Sequence, residues 1–154
     1  MTVSCQDIIS AFLGKITSYD FLKISEADFN DLIIEYLKSA FAIPYIRSLF
    51  SDIKYDANND EIVFSLKYPT NEFSDKYFVT EIFAKALTAI WLEPQVKSQA
   101  VISQFVATSK EKFYSQQQHL AQLKSLYIDT QTEIRKMIRD YGYQNNSYLR
   151  KDET

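Results

Sequence analysis

The chain has 154 residues, 46% of them hydrophobic and 24% charged, with a formal net charge of −3 and a pI near 5.2. That size and balance describe one domain with a real core, and the longest apolar runs, such as "AIWL" and "FAI", fall far below the roughly 20 residues that span a bilayer. A single cysteine, Cys5, excludes an intrachain disulfide and a multi-cysteine metal site, and the acidic balance argues against a general nucleic-acid coat.

The charge is uneven. Residues 1–108 hold nine Lys or Arg against fourteen Asp or Glu, and residues 109–154 hold eight against six. No basic stretch followed by an apolar one opens the chain, so no signal peptide is expected. Two glycines leave few positions for phosphate loops, whereas eleven Tyr and eleven Phe supply either core or the anchors that protein interfaces favour.

In chain order, "SCQDIISAFLGKI" opens with Ser4 as a helix cap and Asp7 in the first turn. Ile8, Ile9, Phe12, Leu13 and Ile16 then recur at helical spacing. "TSYDFLKI" reads as a connection. Ser25 starts a second helix with Glu26 and Asp28 in its first turn, and Phe29, Leu32, Ile33, Tyr36, Leu37 and Ala40 form its stripe up to about Phe41, before Pro44.

From residue 51 the period changes to two. "DIKYDANNDEIVFSLKYP" alternates on both sides of an Asn/Asp cluster, predicting a β-hairpin over about residues 51–68 with its loop near 56–60 and with Ile62, Phe64 and Leu66 on one face. A lone hairpin must pack on helices or pair with a neighbour's edge.

Helical spacing returns after Pro69. Phe78, Ile82, Ala86, Ala89 and Ile90, flanked by Phe83, Leu87 and Trp91, predict a central helix over 74–92 that Pro94 ends. A shorter piece around "VKSQAVISQF" and a polar turn "ATSKEKFYS" follow. Ser115 begins a long helix to about 141. Its Leu120, Tyr127, Ile134 and Tyr141 fall seven residues apart, and Leu123, Thr130 and Met137 make a second seam. This stripe suits an outer helix of the same bundle or a coil between subunits. Past Gly142, "YQNNSYLRKDET" is polar and without period.

The fold class is therefore mainly α: a helical bundle of four to five helices with one inserted β-hairpin and a long C-terminal helix, one domain over 1–143 and a polar tail over 144–154.

Catalytic chemistry finds little footing. His119, the one histidine, lies on the polar face of "QQQHLAQL" and reads as a solvated surface group. Cys5 sits near a helix start that favours a thiolate, yet a buried structural thiol fits a lone cysteine better. In "DANND", Asp56, Asn58 and Asp60 match the first ligand positions of a calcium loop. Glu61 then replaces the required Gly and Lys67 the closing Glu, so a plain turn is expected. Glu26 and Asp28 serve a helix dipole. No phosphate loop, zinc spacing or nucleophile elbow occurs, so no enzyme activity, metal or cofactor is expected.

The order of elements supplies the functional expectation. A short helix, a helix ending "YLKSAFAIPY", an acidic hairpin, "AIWLEPQVKS", "SKEKFYSQQQHLAQLKSLY" and a closing "IRDYGY" together resemble tailed-phage head-to-tail connectors, also called adaptor or neck proteins. The resemblance covers roughly residues 5–143, and its most specific parts are "WLEP", "FYS" and "YGY". It implies a non-enzymatic virion protein, made in the host cytoplasm. It would form a ring, commonly of twelve copies, below the portal, with genome DNA passing through and the next neck or tail protein docking on it. The interface candidates are Trp91, Pro94, Phe113, Tyr114, Tyr127, Tyr141, Tyr143, Tyr148 and Leu149. Another neck or tail-completion ring, such as a tail terminator, is one alternative. The other is a cytoplasmic bundle that binds a partner through its last helix.

Overall fold

The computed structural model describes residues 1–16, 25–105 and 110–144, and the side chains among these except at 99–113, 116 and 144. The chain is mainly helical, with five helices and a small three-stranded antiparallel sheet among the described residues. Strand β1 (Thr2–Ser4) leads directly into helix α1 (Cys5–Leu13). Ser4 caps it by accepting from the Gln6 amide at 3.1 Å. Helix α2 (Glu26–Ala42) begins as the sequence predicts: Ser25 accepts from the Asp28 amide and donates its hydroxyl to Asp28 Oδ2 at 2.7 Å. It stops because Pro44 holds the preceding Ile43 in extended backbone, ψ 117°, and Pro44 itself opens the single turn α3 (Pro44–Arg47).

Strands β2 (Phe50–Asp56) and β3 (Glu61–Leu66) form the expected hairpin. In the loop, Asp56 Oδ1 accepts from the Asn58 amide, and Asp60 takes the left-handed region at φ 52°. That conformation is tolerated best by Gly, Asn and Asp. Ile62, Phe64 and Leu66 all point into the core. The strand order is β1-β3-β2, with Val3 opposite Ile62 and Lys54 opposite Val63. β1 was not expected. Three residues carry no readable period, and its partner lies some sixty positions away.

Helix α4 (Glu72–Phe105) corrects the expectation of a helix ending at Pro94. A proline inside a helix removes one amide donor and presses its ring on the carbonyl four residues back, here Ile90, at a cost of about 3 kcal/mol. That cost is offset by packing on both sides. Leu92 is buried, Trp91, Gln95 and Val96 are half-buried, Pro94 itself is exposed, and Gln95 Nε2 donates to the Trp91 carbonyl at 3.2 Å. The shorter piece "VKSQAVISQF" is thus part of α4.

Helix α5 (Lys110–Gln144) starts five residues before the expected Ser115. It takes in the end of the supposed polar turn, whose residues 107–109 lie outside the described residues, as does the connection 17–24. The seven-residue seam faces inward: Thr130 and Ile134 are buried, and Leu120, Leu123, Tyr127, Met137 and Tyr141 are half-buried. α4 is the helix that α5 chiefly packs against. The stripe is therefore used within the chain, as for an outer helix of the bundle.

The core lies where α4 meets α1, α2 and the sheet. Ile82, Phe83, Ala86 and Leu87 are fully covered on successive sides of α4, which makes it the central element. Phe83 meets Phe41 edge-on at 5.2 Å between ring centroids and stacks on Phe50 at 6.0 Å. Each such ring or aliphatic chain contributes about 1.5–3 kcal/mol by leaving water.

Candidate functional site

The nine sequence candidates do not form one patch. Trp91, Pro94 and Tyr127 lie at one level of the α4–α5 pair. Tyr127 feels the charges of Glu93 and Lys97 one helix away, and its hydroxyl accepts from Gln131 Nε2 at 2.9 Å. Burial, first, and then the Glu93 charge raise the phenol above its ordinary pKa. Tyr114 and Tyr141 lie thirteen and fourteen residues away along α5, about 20 Å in either direction. Tyr114 and Tyr143 are exposed. The side chain of Phe113, and Tyr148 and Leu149 altogether, lie outside the described residues.

Trp91 is half-buried against the core and forms part of a groove between α4, α5 and the end of α1. The groove also holds Leu92, His119, Leu123, Leu126 and Thr130. Two of its cations are paired within the chain: Lys15 with Glu81 at 2.9 Å, and Lys85 with Glu133 across the helices. His119 is exposed at its rim. Trp91 thus closes the core and borders the surface at the same time.

Tyr141 is a latch between the two ends of the fold. Its ring stacks on Phe78 at 4.3 Å between centroids, 12° from parallel, and its hydroxyl donates to the Tyr68 carbonyl at 2.7 Å. The hydroxyl also lies 3.2 Å from Oδ1 of Asp75, a carboxylate only 1% exposed. Oδ2 of Asp75 accepts from the Thr70 amide at 2.9 Å. The first turn of α4, the segment before it and the last turn of α5 therefore share one polar knot around the buried Asp75. Asp75 was missed because the sequence shows a first-turn acid and gives no sign of its burial.

Two exposed apolar features also went unread. Leu126 and Ile128 flank Tyr127 on α5 and are 51% and 53% exposed. Both stand outside the seven-residue seam, and that mismatch was the available signal. Phe73 and Tyr77, 4.8 Å apart between ring centroids, project from the first turns of α4 at 70% and 62% exposure.

Cys5 is buried, and its backbone amide donates to the Asp60 carbonyl at 3.0 Å. Burial, with the Asp60 carboxylate beside it, pushes the thiol up to about 12. A thiol so held is a poor nucleophile at neutral pH. Among the described residues no three His, Cys, Asp or Glu side chains gather as a metal site, and no helix is long and apolar enough to cross a membrane. The arrangement offers packing surfaces and hydrogen-bonded joints.

No protein-family model matches the chain, and neither a curated protein nor a solved structure matches it significantly.

Proposed function

We propose that this protein works by assembly, as a ring-forming connector of a tailed-phage neck that sits below the portal, continues the DNA channel and receives the next neck or tail component. The observation that carries the reading is the pair of unlike surfaces on one small body. α5 exposes Leu126 and Ile128 on the two flanks of its inward-facing seam, while β2 has β3 on one side and no strand on its other among the described residues. A closed ring needs two different faces on each subunit, so that one copy's first face meets the next copy's second. Apolar side chains on one element and an open strand edge on another satisfy that need. The resemblance in element order, from "YLKSAFAIPY" to "IRDYGY", points the same way. An acidic body also repels phosphate, which suits a wall along which DNA must slide.

A second reading, a cytoplasmic bundle that binds a partner through α5, draws on the same exposed Leu126 and Ile128. Mass photometry separates the two. The connector reading expects closed rings of the purified protein, alone or on addition of portal, and their loss in Leu126→Ser/Ile128→Ser with the circular-dichroism spectrum unchanged. A chain that stays monomeric with portal present overturns it.

A further inference from the structure

A cleft of about 570 Å³ runs between the β1–α1 corner and the first turns of α4. One of its walls is a strand edge. Met1 and Phe64 exchange both backbone hydrogen bonds, and the Cys5 amide donates to the Asp60 carbonyl, so the alternation of an antiparallel ladder turns the backbone groups of Thr2 and the amide of Ser4 away from β3. Thr2 and Ser4 line the cleft, and no strand covers that edge among the described residues.

The two sides of that edge differ in chemistry. Ser4 stands opposite Glu61 and Thr2 opposite Val63, which sets these side chains on the outer face of the sheet, whereas Val3 and Ile62 are buried on the inner face, in the core that α4 shares. A strand added beside β1 would turn its side chains alternately to those two faces. Toward α4 it would meet the exposed rings of Phe73 and Tyr77. Toward the outer face it would meet Glu61, with Asp7 in the first turn of α1 just beyond Ser4. Of the charged residues that line the cleft, Lys76 is paired with Glu72 and Glu81 with Lys15, which leaves Asp7 and Glu61 to set its sign.

We propose that an extended segment of another protein docks here as an added strand, hydrogen-bonded to Thr2 and Ser4, with apolar side chains on Phe73 and Tyr77 and, at alternate positions, lysine or arginine toward Glu61 and Asp7. Backbone bonds along the edge hold the segment, and the alternation of its side chains supplies the specificity. A second copy of this chain is the poorer occupant. Its own open edge, β2, turns Asp52 and Asp56 to the outer face on either side of Lys54, and so brings two carboxylates for one cation to the side where Glu61 lies. The docking does not depend on ring closure, since it uses an edge that the connector reading leaves free.

The test is an NMR titration of the full, isotope-labelled chain with the end-blocked peptide Val-Lys-Val-Lys-Val-Lys. The Thr2 and Ser4 amides should shift saturably, with half-saturation below about 1 mM, and the Ser4 amide should exchange more slowly with solvent. The same peptide with Glu for Lys should leave both amides unmoved, as should the Val-Lys peptide methylated on its backbone nitrogens, which cannot donate along the edge. These peptide comparisons need no variant. Asp7→Asn/Glu61→Gln should weaken binding about fivefold, the loss of two exposed ion pairs, and Phe73→Ala/Tyr77→Ala, which removes only exposed rings, should abolish saturation. No saturable shift at Ser4, or equal shifts with the Lys and Glu peptides, overturns the proposal. Shifts at Thr2 and Ser4 that grow with protein concentration in the absence of peptide assign the edge to a second copy and overturn it equally.

Discussion

Removing one hydroxyl, with Tyr141→Phe, tests how the two ends of the fold are held. The substitution keeps the ring and its stacking on Phe78 and deletes only the donor to the Tyr68 carbonyl and Asp75 Oδ1. Two effects add. A lost hydrogen bond between neutral groups costs about 1 kcal/mol, and leaving a buried charged acceptor short of a donor costs about 1.5–3 kcal/mol. Asp75 keeps the Thr70 amide at Oδ2, so we take the low end and expect about 2 kcal/mol. For a chain of this length that is a fall in Tm of about 4–8 °C, read by circular dichroism together with urea unfolding. Asp75→Asn and the double variant complete a cycle, and the double loss should be smaller than the sum of the single losses because both act on one joint. A Tyr141→Phe protein with unchanged Tm, or strictly additive losses, refutes the latch.

Pro94→Ala restores the amide donor to the Ile90 carbonyl. Proline is about 3 kcal/mol worse than alanine inside a helix, less about 0.4–1 kcal/mol for its stiffening of the unfolded chain, so urea unfolding should show a gain of about 2 kcal/mol. Trp91→Ala should cost about 3 kcal/mol, the lower end for a tryptophan, since one side of the ring meets the groove; a loss below 1 kcal/mol in the same assay contradicts its role in closing the core. Cys5 should resist a thiol-reactive disulfide at pH 8 in native protein and react at once in denaturant. Its folded pKa is raised from 9.0 to about 12, so its contribution to stability is whole below pH 9 and is lost as pH climbs toward 12. The wild type should therefore lose stability relative to Cys5→Ala across that window, by up to about 1.4 kcal/mol per pH unit, in pH-dependent urea titrations.

The sequence was most legible where local chemistry and periodicity agreed. Ser25 and Asp28 marked the start of α2 because capping is settled within three residues, and the alternation around "DANND" marked the hairpin because its partners are adjacent in the chain. β1 escaped because its pairing with Glu61–Val63 is a long-range event over three residues. Pro94 misled because a local cost of about 3 kcal/mol was weighed without the packing of Trp91, Leu92 and Gln95 around it. The seam of α5 was visible, but its partner was not: a stripe of Leu, Tyr, Thr and Ile says that something covers it, and only the fold says that α4 does. Tyr141 stood out by its place in "YGY", while the reason for it, the buried carboxylate of Asp75 sixty-six positions away, had no local trace.

The central claim, that the chain acts by assembling, is tested most directly by the mass distribution of the purified protein in solution, with and without a portal ring. The account predicts closed oligomers of one size, near twelve copies, formed alone or templated on the portal and abolished by Leu126→Ser/Ile128→Ser. A single monomer peak that portal leaves unchanged contradicts it.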